Sequence, residues 1–388
     1  MALIVGGGIG GGALALALAK KGRQVLVLER EKTPPHAGRP ELLGGPTLDI
    51  LQSLGVGEKI LAEAARPINE LELSGPDGRV LLQIGPDEFR EAGARVYSTD
   101  PFRVREILLE QASRTGSAQV KRGVEVLGLL RKDGRVAGVH CKESGEEKNF
   151  SSELVIGDDG SHSRIRSELG IPIKLSEFPL KFLMPKRFLP AADPSGRGLA
   201  RLDLWALRKG IVGGIFMPLP KEQSAFVFVM GAAAHARLIK EPAQFEKEAA
   251  ALTPPAFTTA LKGFRFPEDF ILLDRPFGHA ARYTAPGAVL LGDAAHPVTP
   301  AGGQGANMSI HDAASLAAHW EEPEEYEKRR RPANERSLFF SRRATTLFHS
   351  VSLFPPLASL GPKWLSRLSR ENKIRLARSV STAFLSPV

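Results

Sequence analysis

One cysteine in 388 residues, Cys141, leaves no room for an internal disulfide framework or a cysteine-rich metal site, and a reducing, cytoplasmic setting is expected. No apolar run approaches the roughly 20 residues a membrane-spanning helix needs. The apolar N-terminus resembles a secretion signal only briefly, because glycines interrupt it from Gly6 onward. No cluster of metal-ligating side chains and no protein nucleophile stands out. Acidic residues are scarce at one end only: residues 328–388 hold 13 Lys or Arg against 2 Glu, while the remainder has 39 basic against 41 acidic residues. The rest of the composition is that of a globular protein, with 43% hydrophobic and 24% charged residues, long enough to predict two domains.

Residues 2–31 read ALIVGGGIGGGALALALAKKGRQVLVLERE. An apolar strand enters glycines at G-x-G-x-x-G spacing (Gly6, Gly8, Gly11), a helix follows to Lys21, Gly22 ends it, and a second strand closes on Glu29. In this pattern the first glycine makes the tight turn, the second admits a pyrophosphate and the third lets helix lie on strand. Glu29, 18 residues past Gly11, is placed to accept hydrogen bonds from both hydroxyls of an adenosine ribose and to disfavour a 2′-phosphate. The unit predicts a dinucleotide site without separating FAD from NAD.

A loop with Pro34 and Pro35 leads to Arg39, a candidate for phosphate oxygens, and to a helix carrying Leu48, Ile50, Leu51 and Leu54 that ends at Gly55. Residues 70–84 alternate around Pro76-Asp77-Gly78, a hairpin signal and the first mark of a second domain. Arg103 and Arg105 open the helix after Pro101, where the dipole disfavours cations unless an anion is near; Arg105 is the preferred ligand contact, with an ion pair to Glu106 or Glu110 as the plain alternative. Strands with a turn at Lys132-Asp133-Gly134 follow, and Cys141 reads as a buried bystander.

Residues 154–169, LVIGDDGSHSRIRSEL, make a second strand-to-helix junction. Asp159 can bind ribose or ribityl hydroxyls or simply cap the helix, as Ser161 or Ser163 can. Residues 172–275 read as a mixed or antiparallel sheet lining a pocket, with strands at 200–207, 211–217, 224–230 and 270–273 and a helical pattern near 235–251. Phe216, Met217, Phe226 and Phe228 are core candidates first and substrate contacts second.

Residues 290–313, LLGDAAHPVTPAGGQGANMSIHDA, form a strand, a loop poor in side chains and a helix start. Such a loop lets backbone approach a flat or phosphorylated ligand, and the helix start offers unpaired N–H groups. His296 is the tempting catalytic residue, but a structural part in the loop is preferred. The basic end, with Phe339, Phe340, Phe348 and Phe354 near Arg342 and Arg343 and a second run at 364–384, fits either peripheral attachment to the inner face of an anionic membrane or a helix packed on the core.

Three motifs thus stand in order: G-x-G-x-x-G with Glu29, GDDG-S-x-S-x-x-R at 157–166, and GDAAHPVTPAGGQGANMSIHDA at 292–313. Together they resemble the class A FAD-dependent monooxygenases, the family of p-hydroxybenzoate hydroxylase and the ubiquinone-pathway hydroxylases, over residues 1 to about 330. The resemblance implies an α/β fold: a Rossmann-like, glutathione reductase-type FAD-binding domain (1–69, 96–171 and 274–327), an inserted mixed β-sheet substrate domain (70–95 and 172–273) and a basic helical C-terminus (328–388). It implies that Gly6, Gly8, Ile9, Gly10 and Gly11 surround the FAD pyrophosphate, with Glu29 and Arg30 at the ribose. Arg39, Arg105 and Asp159 are implied as further FAD contacts and Asp293 as the ribityl partner. Ala306 and Asn307 would offer backbone to the flavin pyrimidine edge, and Pro300, Gly302, Gly303 and Gly305 the ring face where oxygen adds. Thr299 and Ala301 depart from the family at that face, and Asp158 is an acid where G-A-D is commoner.

The implied activity is hydroxylation of an aromatic, quinone or polyketide-like substrate with O2 and NAD(P)H through a flavin C4a-hydroperoxide. A helix start aimed at the reduced flavin's N1 and O2 would stabilise the charge gained there. Competing readings are an FAD-dependent reductase or oxidase of a prenyl or lipid-like substrate, similar to the geranylgeranyl reductases, and an FAD-fold protein without turnover. Nucleic acid is not an expected partner, since a basic segment without a recognised fold is weak support.

Overall fold

The computed structural model describes residues 1–33, 39–74, 80–177, 180–190, 199–204, 211–244, 246–247, 262–273, 276–300, 302–353 and 367–382. The Pro34-Pro35 loop, the Pro76-Asp77-Gly78 turn, Ala301, Phe354, and the 364–366 and 383–384 ends of the last basic run lie outside the described residues.

β1 (Ala2–Val5) enters α1 (Ile9–Lys20), whose small residues are buried almost all round, and Gly22 at φ +76° turns the chain into β2 (Val25–Glu29). β3 (Glu41–Gly44) runs straight into α2 (Gly45–Ser53), which buries Leu48 and Leu51 and is followed by Gly55 at φ +76°. α3 (Pro101–Arg114) is capped by Asp100, which accepts from the N–H groups of Phe102 and Arg103. β4 (Leu154–Gly157) leads to α4 (Arg164–Glu168), capped by Ser163 rather than Ser161. β5 (Ala288–Leu290) returns to the centre, and α5 (Gly305–Ala318), α6 (Pro323–Leu353) and α7 (Arg370–Thr382) complete the described chain.

β1 lies between β2 and β4 in parallel register, β5 extends the sheet beyond β4, and residues 118–122 extend it beyond β2. The strand order therefore reverses at β1, and a crevice opens beyond the carboxyl ends of β1 and β4. Both faces of these strands are covered, which is why they read as continuous apolar runs rather than alternating ones.

A separate eight-stranded sheet carries the mixed pattern. Its path runs 270–273, 180–185, 223–231, 211–219, 199–204, 70–74 and 80–84, with 189–190 paired to 223–231; only the 199–204 and 70–74 pair is parallel. The Asp133-Gly134 turn has both residues at positive φ (50° and 77°), as a tight hairpin with right-handed twist requires. Its sheet has a third strand, Glu146–Ser151, that carried no apolar signal because its side chains face solvent. Cys141 is buried there, its thiol bonded to the Lys148 carbonyl.

The basic end is partly interior. α6 begins before residue 328 and buries Tyr326, Arg330, Ala333 and Asn334. α7 sets Ala377, Ile374, Leu376 and Val380 against Phe89, Ala92 and Ile68, with Arg370 paired to Glu91 at 2.6 Å. The apolar face that a bilayer would have to receive at 370–382 is thus covered by the chain's own helix 86–91. No helix among the described residues is long and apolar enough to cross a membrane.

Candidate functional site

At the β1–α1 turn the glycines are required for two different reasons. Gly6 has φ +104°, and a Cβ there would stand 2.2 Å from the Asp158 carbonyl; a Cβ on Gly11 would stand 2.3 Å from the Gly6 carbonyl. Both contacts are with backbone, so neither position accepts a side chain. At Gly8 the obstacle is instead the Asp158 carboxylate, 2.8 Å away, and at Gly10 it is Leu291 Cδ2 at 2.6 Å with Asp158 Oδ1 at 3.0 Å. Asp158 Oδ2 accepts the Gly11 N–H at 2.7 Å. The space over the second glycine, expected for a pyrophosphate, is shared with an acidic side chain.

Two cavities meet at this turn. The first, about 380 Å³, lies between the end of β2 and the start of α3 and includes Glu29, Arg30, Arg105, Asp159 and His162. The second, about 210 Å³, extends over α1 toward Asp293, Pro300, Gly303, Gly305 and Ala306. Gly8, Asp158 and Gly160 line both, so together they form one elongated cleft with its waist at Asp158.

At one end Glu29 is buried and already engaged: Oε2 accepts the Gly7 N–H at 2.9 Å, Oε1 accepts the Glu31 N–H at 2.8 Å, and Arg105 Nη2 lies 3.1 Å from Oε2. The structure separates the two arginines of α3. Arg103 is consumed by Glu63 and Glu110, at 2.5 and 2.8 Å, whereas Arg105 turns into the cleft. Arg105 is only 8% exposed, and its Nε and Nη2 make no well-directed hydrogen bond. Buried guanidinium donors left in this state are costly, and an anionic ligand would complete them. Arg30 points outward, beside Glu31 at 3.5 Å. Asp159 also lines the cleft, but its oxygens are taken by Ser163 Oγ at 2.5 Å and the Ile165 N–H at 3.0 Å, so its side chain caps α4. Burial raises its carboxyl, against those bonds.

At the other end, Gly302 and Gly303 have φ +90° and +60°, and a Cβ on Gly303 would press on Leu42 at 3.0 Å. The loop is held from behind by Asn307. Its Oδ1 accepts from the Gly44 N–H (3.0 Å) and Thr47 Oγ1 (2.6 Å), and its Nδ2 donates to the carbonyls of Leu42 (2.7 Å) and Gly303 (3.0 Å). Asn307 does not line the cleft, whereas Gly305 and Ala306 in the same first turn of α5 do. Thr299, which replaces a family proline, turns its hydroxyl to Ser341 on α6. Arg39 is paired with Glu41 at 3.0 Å and keeps a buried Nε without a partner.

A third cavity, about 130 Å³, opens on the far side of the same loop. It shares Arg39, Glu41, Leu273, Pro300 and Gly303 with the cleft, and its walls are Phe182, Met184, Ile215, Met217 and Val227 of the large sheet. Strand parity sorts the expected aromatics: Phe216, Phe226 and Phe228 face the opposite side and pack with Phe266 and Phe270, leaving Met217 on the cavity face.

His296 faces away from the cleft into a buried network. Its Nε2 meets Asp312 Oδ2 at 2.5 Å, Asp312 Oδ1 accepts Arg330 Nε (2.9 Å) and Asn334 Nδ2 (3.1 Å), and Asn334 reaches Tyr283. Burial alone would raise the Asp312 carboxyl, but His296 and Arg330 hold it far below the usual carboxylate range. This is a structural pin between the loop, α5 and α6, in keeping with the preferred reading of His296. Asp158, Glu41, Gln304 and Ser309 are among the cleft residues that motif reading left without a part. Asp158 alone had a signal, as an unusual acid before the Asp159-Gly160 pair.

The donors present fit FAD: Arg105, whose ion pairs to Glu29 (3.1 Å) and Glu106 (3.5 Å) leave Nε and Nη2 without a well-directed hydrogen bond, the unpartnered buried Nε of Arg39, glycines that keep the wall low, and a helix start at the waist. Residues 1–325 match the FAD binding domain family. The chain is 28% identical over 323 residues to 6-methylpretetramide 4-monooxygenase of Streptomyces rimosus, covering 81% of this chain and 73% of that one. It is 26% identical over 416 residues to ubiquinone hydroxylase UbiL of Rhodospirillum rubrum, covering 99% and 90%. Among solved structures, Klebsiella pneumoniae HpxO complexed with FAD and uric acid superposes with a TM-score of 0.79 at 20% identity, covering 99% of this chain and 97% of that one.

Proposed function

The chain belongs to the family of FAD-dependent aromatic monooxygenases, and from that premise we propose that it hydroxylates a small, uncharged aromatic or quinone-like ring with O2 and NAD(P)H. The observation that carries this reading is the apolar third cavity, which abuts Pro300 and Gly303 and shares them with the cofactor cleft. Its described lining carries one cation and one anion, Arg39 and Glu41, which pair at 3.0 Å and leave it no net charge for a carboxylate, while the unpartnered Arg39 Nε is the donor assigned above to the cofactor. FAD, when bound, supplies the electron transfer from nicotinamide to O2 and the oxygen-atom chemistry.

The residues of this chain bind, orient and exclude water. Gly6, Gly8, Ile9, Gly10 and Gly11 would border the pyrophosphate; Glu29, Arg30 and Arg105 the adenosine end; Asp293 the ribityl chain; and Gly305 and Ala306 the pyrimidine edge. Asp159 would act through its capped loop, and Asn307 by holding Gly303 and Leu42 in place. Pro300, Gly302 and Gly303 would present a wall low enough for ring, oxygen and substrate to meet, and the wall of Phe182, Met184, Ile215 and Met217 would keep water out. We assign 1–69, 96–171 and 274–327 to the cofactor half and 70–95 and 172–273 to the substrate half.

The test is oxygen consumption coupled to NADH or NADPH oxidation, across neutral phenols and quinols and their carboxylated counterparts, with isotopically labelled O2. Product without labelled oxygen would reject hydroxylation in favour of the reductase reading. A preference for carboxylated substrates would reject the uncharged class. Peripheral membrane contact through 328–388 is supported by outward-facing Phe339, 52% exposed, with Arg343 over its ring. Liposome flotation unchanged by Phe339→Ser would reject it.

A further inference from the structure

We propose that Asp158 is an internal occupant of the phosphate position in the cofactor cleft, and that FAD binds with uptake of one proton at its carboxyl. This deepens the FAD reading of the cleft and rests on it. Asp158 stands at the waist, the one acidic side chain lining both the adenosine-end and flavin-end cavities. Its Oδ2 takes the Gly11 N–H at 2.7 Å, in the first turn of α1, where a dinucleotide's pyrophosphate would be stabilised by the same dipole end. A Cβ built on any of Gly8, Gly10, Gly11 or Gly292 would come within 3.0 Å of one of its carboxylate oxygens, so the carboxyl fills the hollow those glycines leave.

An ionised carboxylate and a pyrophosphate dianion in that hollow repel each other. The groups around Asp158 add to the difficulty. Asp159 is on its own loop, Asp293 is on the segment after β5, and Glu29 at the end of β2 is paired with Arg105. α5 contributes only neutral Ser309. The outer rims carry Arg30, Glu125, His162 and Arg164 on one side and Arg39 paired with Glu41 on the other. Burial, then these carboxylates, push the Asp158 carboxyl well up, against the single Gly11 N–H that favours the charged form. A protonated Asp158 can donate to a phosphate oxygen, which turns the repulsion into a hydrogen bond.

The experiment is FAD titration of the full-length chain freed of flavin, followed by flavin fluorescence from pH 5.5 to 8.5, with Asp158→Asn and Asp158→Ala beside the wild type. Asp158→Asn keeps an acceptor for Gly11 and the side-chain shape, and a urea midpoint for each variant checks folding. The wild-type Kd is expected to rise up to about tenfold per pH unit above the Asp158 titration. Both variants are expected to lose that slope and to bind at least tenfold tighter than wild type at pH 8.5. Any slope that Asp158→Asn retains belongs to other groups, and only the difference belongs to Asp158. Calorimetry in buffers of different ionisation heat, at a pH within the steep part of the wild-type slope, should count up to one proton taken up by wild type and none by Asp158→Asn. Equal pH dependence in wild type and Asp158→Asn, or weaker FAD binding by Asp158→Asn at pH 8.5, overturns the proposal while leaving the FAD reading intact. Failure of every variant to bind FAD at any pH overturns both.

Discussion

Asn307→Ala tests whether the loop beside the ring face is held from behind by one side chain. The substitution deletes four hydrogen bonds at once. Their losses differ because their surroundings differ. The Gly44 N–H bond is buried, so leaving that N–H unpaired costs about 2 kcal/mol. Thr47 is less affected, because its hydroxyl can turn fully to His311 Nε2, 3.3 Å away. The Leu42 and Gly303 carbonyls border the cavities, where water can replace the amide, and lose roughly 0.5 kcal/mol each. The sum is about 3 kcal/mol, a large share of the roughly 5–15 kcal/mol that holds a domain folded. Urea unfolding of the flavin-free chain should show that loss with an unchanged m-value, and FAD affinity should fall as Gly303 and Leu42 loosen. Asn307→Asp is expected to be worse at neutral pH, since it keeps the Gly44 and Thr47 bonds but turns a carboxylate oxygen on two carbonyls, and to recover as acid protonates it. If Asn307→Ala lies within about 1 kcal/mol of wild type, the four bonds do not hold this loop.

The buried pair of Asp312 and Arg330 should be costly to break: Asp312→Ala is expected to lose about 3–5 kcal/mol, and Asp312→Ala with Arg330→Met to regain only part of it, since His296 and Asn334 lose the same carboxylate, which a double-mutant cycle in urea reads. Burial, then Arg330, lowers the His311 imidazole to about 3, so the unfolded chain takes up its proton first as pH falls. His311 therefore contributes stability that is complete above about pH 6.5 and declines by up to about 1.4 kcal/mol per pH unit toward pH 3; His311→Gln should flatten that part of the stability curve. His279, lowered to about 4 mainly by burial and opposed by Asp312 and Glu327, adds to the slope. Gly6→Ala is expected to abolish FAD binding, because its Cβ meets backbone at 2.2 Å, whereas Gly22→Ala, at φ +76° with nothing within 4 Å, should cost only about 1 kcal/mol and leave FAD binding unchanged.

Local patterns carried much of this protein in the sequence. The strand–glycine–helix–strand unit ending at Glu29, the Asp133-Gly134 hairpin and the glycine-rich loop after Asp293 each depend on residues within reach of their own turn. Backbone conformation and burial periodicity are written at that range, and order along the chain was enough to bring the family into view. The strand at 146–151 escaped because an exposed edge strand has no apolar face to repeat.

Contacts between distant segments were decided only in three dimensions. Asp158 meets Gly11 across 147 residues and Asn307 meets Gly44 across 263, so no spacing rule reveals that one acid sits at the waist of the cleft or that one amide clamps its far end. The expected backbone role of Asn307 was read from its place after the glycines; its side chain, turned away from the cleft, does the holding. In the same way nothing in the basic run near residue 330 shows that α6 lays Arg330 against Asp312. A side chain's chemistry is in the sequence, but its charge state and its partner follow from what the fold puts within about 3 Å of it.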